Sequence, residues 1–479
     1  MGKPVVMSSG RLATRRQGVD LFALSPVRAL VLWPGFPYAF QGVLLVVFAV
    51  LVVLGWTFDV PDAVDAKLYA KSNLVTLVVW GLWWPSMVWM AVLLGRAWCM
   101  VCPLELVANI TERAGAKLGV RQFNLSRPLR AGWLIVFLYF LLQLLVSGAA
   151  LHRIPKYTAL FMFGLLTGAA VVGLLWRDRA FCRGFCPVGL LLSTYGRGGM
   201  LAVRPAGVGA CAQCAAKYCI AKNNRTRVNA RSCPSLLNPP KLNSNKDCLL
   251  CGQCIKACRP DNMQLLLRRP FDPADAREPH ASWPTTLFVM MVSGFVMSEV
   301  VSGWPRMEET FDWLPERLSE WMASPALAGW LKGLWYLGVY PLALWMVLGG
   351  LVVVLGGAAT LRLAWRRLAL PVAVIVAAAH MSKGIEKIST WGGFLPWALK
   401  SPDGTETALA IAAKSLPAPA PLLPHFLYAG IGLALLAAGL FFGAREARLS
   451  GDTSSNRLYV PLAVAAMLYL GCVGGWAFR

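Results

Sequence analysis

The residues most able to do chemistry are cysteines, of which the 479-residue chain has 13. One run, Cys248-Leu-Leu-Cys251-Gly-Gln-Cys254-Ile-Lys-Ala-Cys258, has the spacing C-x2-C-x2-C-x3-C. In such a run three closely spaced thiolates wrap one iron–sulfur cubane and the fourth reaches over to a second. A looser copy lies upstream, Cys211-Ala-Gln-Cys214 followed by Cys219 and, after an insertion, by Cys233-Pro234. Crossing the fourth ligands by the same logic assigns Cys211, Cys214, Cys219 and Cys258 to cluster I. Cluster II then takes Cys248, Cys251, Cys254 and Cys233, and both clusters are expected to be [4Fe–4S] cubanes. Zinc sites favour two separated C-x2-C pairs over a triplet plus one, and disulfides are disfavoured on a reducing cytoplasmic face. One departure is Arg259, which separates Cys258 from Pro260. It loosens the motif without removing a ligand.

Four further cysteines fall in two segments that read as copies of each other, Arg96-Ala-Trp-Cys99-Met-Val-Cys102-Pro103 and Arg179-Ala-Phe-Cys182-Arg-Gly-Phe-Cys186-Pro187. Each ends a pair of apolar segments, so the first four segments look like a tandem duplication related by an axis along a membrane normal. A Cys before Pro is placed to cap a new helix, whose first-turn Pro needs no amide hydrogen. The positive end of that helix favours a thiolate. Arg96, Arg179 and Arg183 add cationic charge nearby. Cys99, Cys102, Cys182 and Cys186 are therefore expected to converge on a third redox centre, an Fe–S cluster or another thiolate-bound metal. Buried or redox-active thiols without a metal are the alternative, because C-x2-C with C-x3-C does not by itself identify a metal. Cys472 is expected to serve packing.

The elements that must carry these groups are membrane helices. Hydrophobic residues make up 57% of the chain and charged residues 14%, and the mean hydropathy is +0.56, values that do not suit a soluble protein of this length. Apolar runs of about 20 residues, enough to cross a bilayer, occur at 38–56, 73–95, 131–151, 158–176, 284–303, 334–358, 369–389, 425–443 and 458–477. No cleavable leader is expected, since the basic start runs through Trp33-Pro34-Gly35 into a full-length span without a small-residue cleavage site. A cytoplasmic N-terminus places most of the 46 Lys and Arg residues on the inside, in 1–37, 96–130, 177–283, 359–368 and 444–457, as the positive-inside rule requires. The net charge of +23 then follows from topology, and nucleic acid is not an expected partner. The loop 304–333 should include an amphipathic surface helix bearing Trp313, Leu314, Leu318 and Trp321.

The fold expected is thus an all-α polytopic membrane protein of about nine transmembrane helices with a small α+β module inserted, a bacterial-type 2[4Fe–4S] ferredoxin-like domain. Its divisions are a cytoplasmic N-terminal segment 1–37, a four-helix membrane domain 38–203, the cytoplasmic ferredoxin-like domain 204–282, and a C-terminal membrane domain 283–479 of about five helices. The paired helix-end motifs followed by the module at 211–258 resemble the membrane polyferredoxins. That family includes the quinol dehydrogenase subunit of periplasmic nitrate reductase, the electron donor to nitrous-oxide reductase and the assembly factors of cbb3-type oxidase. The resemblance covers roughly 38–303. Members usually carry C-x3-C-P at both sites, so the shortened first copy is a departure. It implies electron transfer between membrane quinol and a partner redox protein, in the bacterial inner membrane with the ferredoxin domain in the cytoplasm.

One apolar segment carries charges that such a role could use. In His380-Met-Ser-Lys383-Gly-Ile-Glu386-Lys387, His380, Lys383 and Lys387 share a helix face, and His380 lies ~18 Å along the helix from Leu368 at 1.5 Å per residue. Intramembrane ionisable groups are costly and suggest function. A quinol site needs a base for each proton and a donor for the quinone oxygen, roles open to His380, Glu299 or Glu386, and Lys383. The competing readings are that the span ends near His380 with Lys383 and Lys387 snorkelling outward, or that His380 and His425 ligate a haem. His152 is expected to be solvated at a helix edge. The chain is read as an oxidoreductase subunit linking quinol to a protein acceptor, with a redox maturation factor or sensor as the alternative.

Overall fold

The computed structural model describes residues 18–450 and 455–478. Residues 1–17 of the expected N-terminal segment, and 451–454 of the expected inside loop 444–457, lie outside the described residues. Among the described residues eight helices are long and apolar enough to cross a membrane, and one apolar helix is shorter. In chain order these nine are α1 (Tyr38–Thr57), α2 (Leu74–Leu94), α3 (Trp133–Gly148), α4 (Pro155–Leu175), α5 (Trp283–Val301), α6 (Pro325–Val354), α7 (Leu361–Gly392), α8 (His425–Leu449) and α9 (Ser455–Gly475). Every expected span falls on one of them. The short one is α3, whose 16 residues rise ~24 Å at 1.5 Å per residue.

The 32-residue helix α7 is the axis of the C-terminal half. It is buried along most of its length, from Ala364 to Trp391, between α2, α5, α6, α8 and α9. Small residues let α8 approach it closely, the means by which helices associate where lipid gives no hydrophobic drive. A Cβ on Gly439 would stand 2.6 Å from the Cβ of Ala378, and one on Gly443 would stand 3.0 Å from the carbonyl oxygen of Pro371. The competing reading that the span ends near His380 is overturned by this packing, since the helix continues to Gly392.

The polar insert builds a three-stranded antiparallel sheet of order β1-β3-β2 from β1 (Val19–Asp20), β2 (Leu201–Pro205) and β3 (Met263–Leu267). Val19 pairs with Leu267, and Leu201 pairs with the same residue from the other side. The sheet therefore takes one strand from ahead of α1, and β2 begins three residues before Arg204. Gln264 Nε2 donates to Asp20 Oδ2 at 2.9 Å across the β1-β3 edge. Behind the sheet Val31 and Phe36 of the N-terminal segment share a core with Val203, Leu250, Ile255 and Met263, and with Ala97, in the turn that follows α2. The Lys256 ammonium ties the same segment down by donating to the carbonyls of Trp33 (2.7 Å) and Phe36 (2.6 Å). The module is thus docked against the helix ends that carry the second set of cysteines.

At the opposite end of the bundle the helix Pro305–Trp321 leaves Trp313 and Trp321 exposed, with Leu314 and Leu318 beside them. Its polar side is anchored by Lys332, whose ammonium lies 2.9 Å from both Asp312 and Glu316. This is the amphipathic helix expected from the spacing of those residues.

Candidate functional site

In the module, the run Cys248 to Cys258 wraps through a tight turn. Leu250 and Gly252 both take positive φ, +55° and +69°, and Gly252 suits this because a side chain there would meet Val31 at 3.0 Å as well as strain the backbone. A cavity is lined by Cys233, Cys248, Cys251 and Cys254 together, the set assigned to cluster II. Two of the other set meet at Asn262, whose backbone N donates to Cys258 Sγ at 3.3 Å and whose Nδ2 donates to Cys211 Sγ at 3.2 Å; such bonds are among the means of setting a cluster potential.

Burial pushes the thiol of Cys248 up to about 12 and that of Cys219 up to about 11, so any metal bound there displaces protons. Among the described residues no three His, Cys, Asp or Glu side chains stand together as ligands of a single metal ion. A cubane asks for a different arrangement, because each thiolate binds its own iron at a separate corner and the sulfurs stand apart by the width of the cluster.

The helix-end cysteines Cys99, Cys102, Cys182 and Cys186 line one cavity, with Arg96 and a wall that includes Trp80, Trp83, Trp84 and Trp98. The two copies differ by one residue between their cysteines, and local geometry absorbs it. Ala97–Val101 is an α turn, whereas Phe181–Phe185 is a wider π turn closed by Cys186 N donating to Phe181 O at 2.8 Å. Single π turns of this kind gather at functional positions. Cys102 caps the helix Pro103–Lys117 as expected from Cys-Pro. After Cys186-Pro187 the helix starts later, at Gly189, because Pro187 and Val188 form a turn first.

Within the bundle α7 brings two ion pairs together. Lys383 Nζ lies 2.8 Å from Glu386 Oε2 and donates to Ser302 Oγ at 3.1 Å, and Lys387 Nζ lies 3.6 Å from Glu299 Oε2. Lys383 is 7% exposed, so it does not snorkel. His380 is 4% exposed and shares a 3.3 Å hydrogen bond through Nδ1 with the Tyr195 hydroxyl. Its ring is packed by Trp84, Tyr195 and Phe295 at centroid distances of 6.5, 6.0 and 5.8 Å. Trp84 also lines the cysteine cavity, so one indole separates His380 from that space.

Tyr195, Ser302 and Trp84 were not apparent as partners in the sequence, where nothing links them to α7. The haem pairing is not assembled. His425 is exposed at the first turn of α8, where Leu422 and Leu423 bond to Ser389, about 13 Å along α7 from His380 at 1.5 Å per residue. His152, expected to be solvated, instead bonds Val146 O through Nδ1 at 3.0 Å and accepts from Arg153 Nε at Nε2, 3.2 Å away. Its ring lies against Trp80.

Compared with known proteins, the chain is 30% identical over 183 residues to the ferredoxin-type protein NapH of Haemophilus influenzae. The match takes in 35% of this chain and spans 61% of the length of that curated relative. No family model matches the chain, and no solved structure matches it.

Proposed function

We propose that this chain is a membrane-bound iron–sulfur electron-transfer protein that passes electrons between the quinol pool and a partner redox protein. The observation that carries the reading is that Cys233, Cys248, Cys251 and Cys254 line one cavity while Cys211 and Cys258 both meet Asn262. The likeness to a ferredoxin-type protein supports it. Two [4Fe–4S] clusters held there supply one-electron uptake and release. The chain's own residues do the rest. Asn262 orients two of the sulfurs, the sheet and the Val31-Phe36 core hold the module against the helix ends, and the indoles around Cys99, Cys102, Cys182 and Cys186 keep water from that third centre. At a quinol, His380 takes a proton on its imidazole with Tyr195 fixing the ring. Lys383 is the donor to a quinone oxygen, and Glu386 and Glu299 balance the buried ammoniums.

Anaerobically purified protein is expected to contain about eight iron and eight sulfide per chain, four of each per cubane, and its reduced form to show two interacting EPR signals. Zinc in place of iron would overturn the reading. The membrane orientation is tested separately. A reporter fused after Arg277 should read cytoplasmic and one after Glu309 periplasmic, and reversed signals would place the module on the other face.

A second reading, a maturation factor that reduces a metal for another enzyme, is favoured by one observation, the four thiols around one cavity. Soft thiolate sites select ions such as Cu(I). Stoichiometric copper binding lost on replacing Cys99 and Cys182, with quinol-driven cluster reduction absent in the native chain, would favour it.

A further inference from the structure

Between the helix-end cysteines and the module lies a buried charged group that neither role above uses. Glu105 Oε1, on the helix capped by Cys102, pairs with Arg179 Nη2 at 3.1 Å and accepts from Arg231 Nη2 at 3.3 Å, and Gln41 Nε2 donates to Oε2 at 2.6 Å. Arg231 Nη1 also donates to Asn109 at 3.2 Å. All three ionic groups are buried, Glu105 at 4%, Arg179 at 5% and Arg231 at 7% exposure.

Their hydrogen bonding is incomplete in a directed way. Arg179 Nε and Nη1, Arg231 Nε, Arg96 Nε and Ser232 Oγ are buried without a hydrogen-bond partner, whereas buried donors in folded proteins are nearly always paired. Arg96 lines the helix-end cavity beside Cys99, and Arg231 and Ser232 lead directly into Cys233. Burial alone would depress Arg179, yet Glu105 and the sulfurs of Cys182, Cys251 and Cys99 hold it above its ordinary value. Arg179, three residues before Cys182 of one set, thus shares Glu105 with Arg231, two residues before Cys233 of the other.

We propose that Arg179, Glu105 and Arg231 form an electrostatic bridge between the helix-end centre and cluster II, donating their spare guanidinium N–H groups to the anionic groups on either side and setting both midpoint potentials. The proposal rests on the reading of these cysteines as redox sites. The chemistry follows from charge. Reduction adds an electron to a group already negative, and a cation in a low-dielectric surrounding stabilises the reduced form. Guanidinium suits the position because its rigid planar fork holds five donors in fixed directions, so the carboxylate and a second acceptor are served from one preorganised group. The two arginines raise the potentials and Glu105 lowers them, so the carboxylate limits how oxidising the pair becomes while holding both forks in place. These are positioning residues, since none bonds an iron.

The test is a redox titration of the full-length protein in detergent, monitored by EPR, with iron quantified in each sample. Arg179→Gln is expected to move the cluster II midpoint to more negative potential. At the native midpoint the reduced-to-oxidised ratio should fall about tenfold, which for one electron is about 59 mV. Glu105→Gln should move it the other way, and Arg179→Lys, which keeps the charge, should move it less than Arg179→Gln. A merely structural role predicts lost iron or equal-signed shifts in both neutral variants. Unshifted or same-direction potentials at full iron content would overturn the proposal. Should Arg179→Gln lose its iron, Arg231→Gln read at cluster II carries the same expected negative shift and the same power to refute. Iron missing from the native protein itself would instead count against the electron-transfer reading, so the two failures are distinguishable.

Discussion

Replacing Cys258 with Ala is expected to remove the signal of cluster I while leaving that of cluster II, although Cys258 stands in the motif that supplies cluster II. The reason is spatial. Cys258 Sγ and Cys211 Sγ both accept from Asn262, at 3.3 and 3.2 Å, while the cavity lined by Cys233, Cys248, Cys251 and Cys254 does not include Cys258. Cys251→Ala should do the reverse. Each variant should lose up to about four of eight irons, one cubane's worth. EPR with iron analysis on the anaerobic proteins decides it, and a Cys258→Ala protein with cluster I intact would show the crossed assignment to be wrong. The effect is close to all or none because a cubane with an open iron corner and no exogenous ligand is readily lost from a pocket this near the surface, where Cys211, Cys214 and Cys219 are all only half-buried.

His380→Gln should keep expression and both cluster signals, lower cluster reduction by a quinol analogue by ~10²–10⁴-fold, the usual worth of a positioned general base, and leave reduction by dithionite unchanged. Glutamine approximates the volume and can still meet the Tyr195 hydroxyl, which lies 3.3 Å from the imidazole, but it cannot take the proton. Dithionite needs no proton acceptor in the bundle. Stopped-flow reduction with each donor separates the two routes. Equal quinol rates in the native and variant proteins would move electron entry to the module, with a soluble donor on its face.

The long apolar runs were legible because a 20-residue hydrophobic segment has few other fates, and the convergence of Cys248, Cys251 and Cys254 was legible because thiols so closely spaced can turn around one space, as they do beside Cys233. Less visible was whatever depends on contacts distant in the chain. Val19–Asp20 has no strand signature of its own, being two residues in length, and it becomes a strand only because Leu266 and Leu267 offer an edge. The 16-residue length of α3 differs from the expected 131–151 because Gly132 takes positive φ at one end and Ala150 at the other, breaks that hydropathy does not register. The shorter spacing of Cys99 and Cys102 is a matter of turn type, α against π, which a count of intervening residues cannot reveal. Lys383 and Glu386 were read with snorkelling as a competitor since spacing alone does not say how far a helix continues. Packing against α8 and α5 carries α7 on past them. Glu105, Arg179 and Arg231 went unconnected for the same reason. Their partners lie 74 and 126 positions apart in the chain, although each arginine is within 3.3 Å of the carboxylate.

The strand contributed from ahead of α1 has a mechanical consequence. An insert joined only at its two ends can pivot on its linkers, and loosely attached domains do so by default. Here a third passage of the chain crosses between the module and the bundle, with Asp20 bonded into the sheet and the Trp33 and Phe36 carbonyls held by Lys256. On the far side Arg277 is fastened to Glu446 of α8 at 2.8 Å. Three moorings define a plane, so the module is a fixed platform and not a swinging arm. Its separation from the membrane-facing cysteines is set once, at folding, and whatever exchanges electrons at its outer rim has to do the travelling.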